Sequence, residues 1–159
     1  MTGVAEQLNH FLASRNSLML ATVDTDGKPL SSYAPCCLNE GAFYVFLSEL
    51  APHTGNLLAN EQLSLLLIED QADCSNAFRR QRLSCTARAT RIERTDSRWH
   101  QITDQLEQEL GGTMPVLKQL PDFHLFRITP DQGTFICGFG RAYRLQGLDV
   151  NSLTLIEGQ

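Results

Sequence analysis

Apolar and polar residues change their spacing several times along the chain, and each change marks an element. Val4, Leu8, Phe11 and Leu12 share one face at helical spacing, which predicts a short N-terminal helix over residues 4–15. Residues 17–24, SLMLATVD, predict a buried strand, and Asp24-Thr25-Asp26-Gly27 predicts a hairpin turn, because Asp-Gly tolerates positive φ. Residues 29–38 return as a second strand, in which Pro35 implies an edge or bulge, since proline cannot donate to a ladder. Asn39-Glu40-Gly41 turns again, and residues 42–48 form a third strand. Pro52 opens a helix anchored by Leu57 and Leu58, which leads into a fourth strand over 62–70.

After a polar connector at 71–81, residues 82–93 alternate as a strand with one solvated face. Residues 95–110 predict a helix: Thr95 caps it, Trp99, Ile102, Leu106 and Leu110 form its stripe, and Gly111-Gly112 stops it. A short helical piece, MPVLKQL, follows. Residues 122–129 and 133–145 read as a hairpin joined by Pro130-Asp131-Gln132. From Gln146 the signals weaken, and 148–159 is expected as a tail, flexible or paired with a neighbour.

Six or seven strands, mostly hairpin-connected, predict a mainly β chain with inserted helices, closed as an antiparallel barrel. An open sheet would expose apolar edges such as SLLLI. A length of 159 residues suits one domain, here 1–147.

Composition narrows the function classes. A net charge of −5 gives no general attraction to nucleic acid or to an anionic membrane, so any anion site must be a local arrangement of donors. No apolar run is long enough to cross a bilayer, and the first residues lack the basic start and apolar stretch of a secretory signal, so a cytoplasmic location is expected. Five cysteines without a C-x-x-C pair read as small buried hydrophobes in a reducing compartment. The four histidines show no zinc-ligand spacing.

SELAPHTGNLLAN, the LLIED after it, LPDFHLFRITP and the closing GFGRAYRL, in this order, resemble the FMN-binding split barrels related to pyridoxamine 5′-phosphate oxidase. More narrowly they resemble the heme-utilisation branch of that class. The resemblance runs from about Ser17 to Leu145. It implies a six- to seven-stranded split β-barrel and a homodimer binding FMN in two clefts between subunits. The branch implies heme binding and, in several members, oxidative degradation that releases iron.

A flavin phosphate is a dianion and needs hydroxyls, cations and free N–H groups converging on one spot, as a helix start supplies. Ser48, His53, Thr54 and Asn56, around the Pro52 helix, are the candidate anion end; the other reading has Ser48 and Thr54 merely capping that helix. Ser32 and Tyr33, on the strand that meets the flavin edge in related folds, are further candidates, with Tyr33 as a rim aromatic the other reading. That strand lacks the arginine that related FMN enzymes often carry. Arg82, at a strand start, suits a phosphate or a propionate, whereas Arg79 and Arg80 read as a solvated patch.

In the heme branch the iron is held by a histidine beyond the GFG-x-A-Y strand, and these residues contain no histidine after Tyr143. His53 or His124, supported by Asp122, are the substitutes if heme binds. Three functions follow as expectations: an FMN-dependent oxidoreductase, a heme-binding or heme-degrading protein, and a dimeric scaffold without cofactor.

Overall fold

In the computed structural model, which describes residues 3–158, the helix α1 (Val4–Ala13) lays Leu8, Phe11 and Leu12 against the barrel interior. Strands β1 (Ser17–Val23) and β2 (Pro29–Pro35) form the first hairpin. Strand β3 (Cys37–Asn39) pairs with β4 (Ala42–Ser48), and the helix α2 (Pro52–Ala59) leads into β5 (Gln62–Ile68). Two 3₁₀ turns cross the connector before β6 (Arg82–Ile92). Helices α3 (Ser97–Leu110) and α4 (Met114–Leu117) precede β7 (Phe123–Gly138), β8 (Arg141–Gln146) and β9 (Thr154–Leu155).

The strand order is β2-β1-β5-β6-β7-β4-β3, with β8 and β9 continuing from β7. The two ends of that order are neighbours in the chain. Only Cys36 separates Pro35 from Cys37, so the sheet must roll until its edges meet. The Cys36 N–H donates to the Asn16 carbonyl at 2.8 Å and pins this seam.

The split-barrel expectation holds, with nine strands among the described residues instead of six or seven. Pro35 ends β2 and divides the expected 29–38 strand, and β9 adds a two-residue strand beside β8. The expected hairpin at Pro130-Asp131-Gln132 is corrected: β7 runs straight through it. Cys85 faces Gly133 while Ala87 faces Pro130, so β7 carries one extra residue as a bulge. The bulge absorbs a proline that has no N–H to give. Gly133 is required there, because a Cβ would lie 2.6 Å from Cys85 Sγ and 2.9 Å from the Ser84 carbonyl. The chain turns instead at Phe139-Gly140, where Gly140 has φ +67°.

The cap of α3 is Asp96, whose carboxylate accepts from the Arg98 N–H at 2.9 Å; Thr95 lies one residue too early. Residues 148–156, expected as a separate tail, bring Leu148, Val150 and Leu153 onto the core and pair β9 with β8.

Two apolar layers result. Inside the barrel, Leu20, Phe43, Val45, Leu83, Phe126 and Phe135 pack under α1. On the opposite side of β4 and β7, Tyr44, Phe46 and Leu125 pack under Trp99, Ile102 and Leu106 of α3 and Met114 of α4. β4 is covered on both faces, and this is why it reads as the unbroken apolar run AFYVFL. No helix among the described residues is long and apolar enough to cross a membrane.

Candidate functional site

The register of β4 against β7 places Ser48 opposite Phe123, so the end of β4, the start of β7 and the first turn of α2 meet at one end of the barrel. Ser48 Oγ donates to Asp122 Oδ2 at 2.7 Å and accepts from the Leu50 N–H at 3.1 Å. Thr54 is fully enclosed, and its hydroxyl donates to the Ser48 carbonyl at 2.5 Å. His53, also buried, sets Nδ1 2.8 Å from Ser32 Oγ of β2. Asn56 donates through Nδ2 to the buried Thr22 hydroxyl at 3.0 Å.

The structure therefore gathers Ser32, Ser48, His53, Thr54 and Asn56 around α2, and gives every one an internal partner. This arrangement welds α2 to β1, β2 and β4. Pro52 has no N–H and the Thr54 N–H is given to the Ala51 carbonyl, so the helix start has few donors left for an anion. Burial holds the His53 imidazole below the ordinary histidine value of 6.5, which keeps the ring neutral near pH 7.

His124 lies on the inner face of β7 with Phe126, and its Nε2 is 2.6 Å from Glu49 Oε1. Asp122 is engaged with Ser48. His10 and His100 stand on exposed helix surfaces. Arg82 is not brought to the other candidates within one chain. It begins β6 at the end where Ile136 pairs, while Ser48 and Phe123 lie past the other end, roughly 40 Å away along the strand at ~3.3 Å per residue. Its guanidinium donates to the Arg80 carbonyl at 2.8 Å.

Tyr33 lies elsewhere, on the outer face of β2, 57% exposed. It borders a cavity of about 410 Å³ between β2, β4, α3 and α4, lined by Asn16, Pro35, Phe46, Leu106, Leu110 and Met114 among others. Its walls are mainly apolar and aromatic, with Asn16 and Thr113 as polar members, and none of its lining residues is charged. The volume suits a small flat ring system or part of a larger one. Phe46 forms its floor and is held by Trp99 at 6.0 Å, edge on, and by Phe123 at 5.2 Å. Sequence reasoning found Tyr33 but assigned Leu106 and Leu110 only to a helix stripe. The signal available was MPVLKQL: an apolar piece directly after Gly111-Gly112 must fold back onto something.

Reactive thiols are not part of this region's chemistry. Burial pushes Cys36, Cys37 and Cys85 up to about 12, so they remain protonated. Among the described residues no three His, Cys, Asp or Glu side chains are grouped to hold a metal ion.

Residues 4–137 match the family model described as pyridoxamine 5′-phosphate oxidase. The chain is 39% identical over 151 residues to the heme oxygenase HutZ of Vibrio cholerae serotype O1, spanning 95% of this chain and 86% of that protein. The crystal structure of HutZ, described as a heme storage protein from Vibrio cholerae, superposes with a TM-score of 0.78 at 40% identity, over 84% of this chain and 94% of that one. Campylobacter jejuni ChuZ superposes with a TM-score of 0.87 at 30% identity, over 98% of this chain and 63% of the longer ChuZ chain.

Proposed function

Since the chain belongs to the pyridoxamine 5′-phosphate oxidase family, with the heme oxygenase HutZ among its relatives, we propose that it is a heme-binding protein whose Tyr33–Phe46 cleft receives the porphyrin. The observation that carries this reading is the 39% identity to HutZ along 95% of the chain. The cleft supports it. A porphyrin face is flat and apolar, and Phe46, Leu106, Leu110 and Met114 offer it a dry wall, with Tyr33 at the mouth.

The fit covers the ring and stops at the iron. No histidine lines the cleft. His53 has the chemistry of a ligand, a neutral ring with Nδ1 fixed by Ser32, but it lies at the α2 end. His124 gives Nε2 to Glu49. We therefore assign no axial ligand and derive no degradation step. The ring's carboxylates find no cation in the cleft and face solvent or a second copy of the chain.

Flavin binding, the expectation from the wider class, ranks second. A flavin needs its phosphate held, and the hydroxyls expected to hold it are committed to Asp122 and the Ser48 carbonyl. We also place the protein in a homodimer joined through the outer face of β1, β5 and β6. The middle of that face carries Met19, Ala21, Ser64, Leu66, Ser84 and Thr86, bordered by Arg144. The free thiols of all five cysteines suit a reducing compartment such as the cytoplasm.

Titration of the purified protein with hemin and with FMN tests the cofactor. A saturable Soret band that survives gel filtration, with no retained flavin absorption, is expected; retained flavin without a Soret band reverses the order. Light scattering tests the assembly, with twice the 17.7 kDa chain mass expected.

A further inference from the structure

Arg94 is an exposed residue in the turn between β6 and α3, yet its guanidinium makes three hydrogen bonds to backbone carbonyls. Nη1 donates to the Lys118 carbonyl at 2.8 Å, and Nη2 donates to the carbonyls of Leu120 at 2.7 Å and Phe123 at 3.2 Å. The same guanidinium lies 4.8 Å from the centre of the Trp99 ring. Three carbonyls from one connector and one aromatic face make an uncommon set of partners for an exposed arginine. Only a planar fork of donors meets them together.

Both sets of contacts lead to the cleft. The connector 118–123 follows α4, whose Met114 and Leu117 line the cavity, and ends at Asp122 and β7. Trp99 packs edge-on against Phe46, the floor of the cavity. Otherwise the segment is fixed at its two ends, by Met114 in the outer layer and by Asp122, which takes the Ser48 hydroxyl and the Glu49 N–H. It begins at Gly111-Gly112, contains only the four-residue α4, and exposes Val116 and Leu120. Lys118 adds a second tether through Asp104 and Glu107, both at 2.7 Å.

We propose that Arg94 is a positioning residue of the cleft: its fork ties the 114–123 wall to Trp99 and so sets the width of the slot available to a flat ring. The inference rests on the heme reading for the identity of the ring, not for the clamp itself. Without the fork the wall loses three charge-assisted bonds at once and drifts on its glycine hinge, while the barrel strands keep all of theirs.

The test uses Arg94→Lys, which keeps the charge and loses the fork, and Arg94→Met, which keeps much of the stem and loses both. Trp99 is the chain's single tryptophan, so its fluorescence reports this place alone. Both variants are expected to melt within a few degrees of the unaltered chain. Acrylamide quenching of Trp99 should rise at least twofold, and hemin affinity should fall about tenfold with a broadened Soret band. Lysine should fail to rescue, because geometry and not charge holds the wall. Unchanged quenching in both variants overturns the clamp. Raised quenching with unchanged hemin affinity overturns its role in the cleft. If the unaltered chain takes up no hemin, the heme reading fails by itself, and the Trp99 measurement decides the clamp.

Discussion

The two ends of the barrel's polar story differ in one respect. Around α2, every conspicuous hydroxyl, imidazole and amide has an internal partner: Ser48 with Asp122, Thr54 with the Ser48 carbonyl, His53 with Ser32, Asn56 with Thr22. Under α4 the walls are mainly apolar, with Asn16, Thr113 and Tyr33 as the polar groups, and the surface stays open. Tyr33 is 57% exposed above apolar walls. Saturated hydrogen bonding marks a joint, because buried polar groups are tolerated when paired. Unfilled apolar surface marks a place awaiting something, since folding alone gains nothing by leaving it wet.

Changes at the joint should cost stability, and changes at the cleft should cost binding. The largest stability effect is expected for Leu106→Ala, which removes a 1% exposed side chain shared by the outer layer and the cleft wall. Truncation of a buried leucine costs ~2–5 kcal/mol, read by denaturant unfolding, and hemin affinity should fall with it. Thr54→Val at the joint removes the donor to a buried carbonyl and should cost ~1–3 kcal/mol by the same measurement. Thr22→Val strands the Asn56 amide and should cost ~1 kcal/mol while leaving hemin affinity within about twofold. Tyr33→Ala is the mirror image. Stability should move by less than ~0.5 kcal/mol, because the side chain is mostly exposed, while hemin affinity falls about tenfold.

The smallest expected effect is in pH. The folded value of His53 lies below the unfolded 6.5, so the unfolded chain binds more protons in that window. Its share of stability is complete above about pH 6.5 and declines as the pH falls from there toward the folded value. His53→Asn should flatten that part of the stability profile, measured by urea unfolding at pH 5, 6 and 7.

Much of the architecture was legible because local rules agreed with each other. Alternation marked β6, Asp-Gly marked the first turn, and Gly111-Gly112 marked the end of α3. The reading failed where one residue carried two opposed messages. Pro130 and Asp131 have turn chemistry, yet they sit in a bulge of β7, because pairing with β6 on both sides outweighs the local preference. Of the site, the neighbourhood of α2 was legible from residue types, and the partners of those residues were not. A hydroxyl that binds a ligand and one that locks a helix have the same letter in the sequence. The cleft was hidden for the opposite reason: Phe46, Leu106 and Leu110 read as ordinary core, and only the fold shows that the packing above them stops short.

Amide hydrogen exchange with and without hemin tests most directly which of the two regions is the site. Slowed exchange across residues 106–117 and around Tyr33, with the α2 residues 52–59 unchanged, is the predicted result. Protection confined to 48–59, with the α4 segment exchanging as before, would contradict the account.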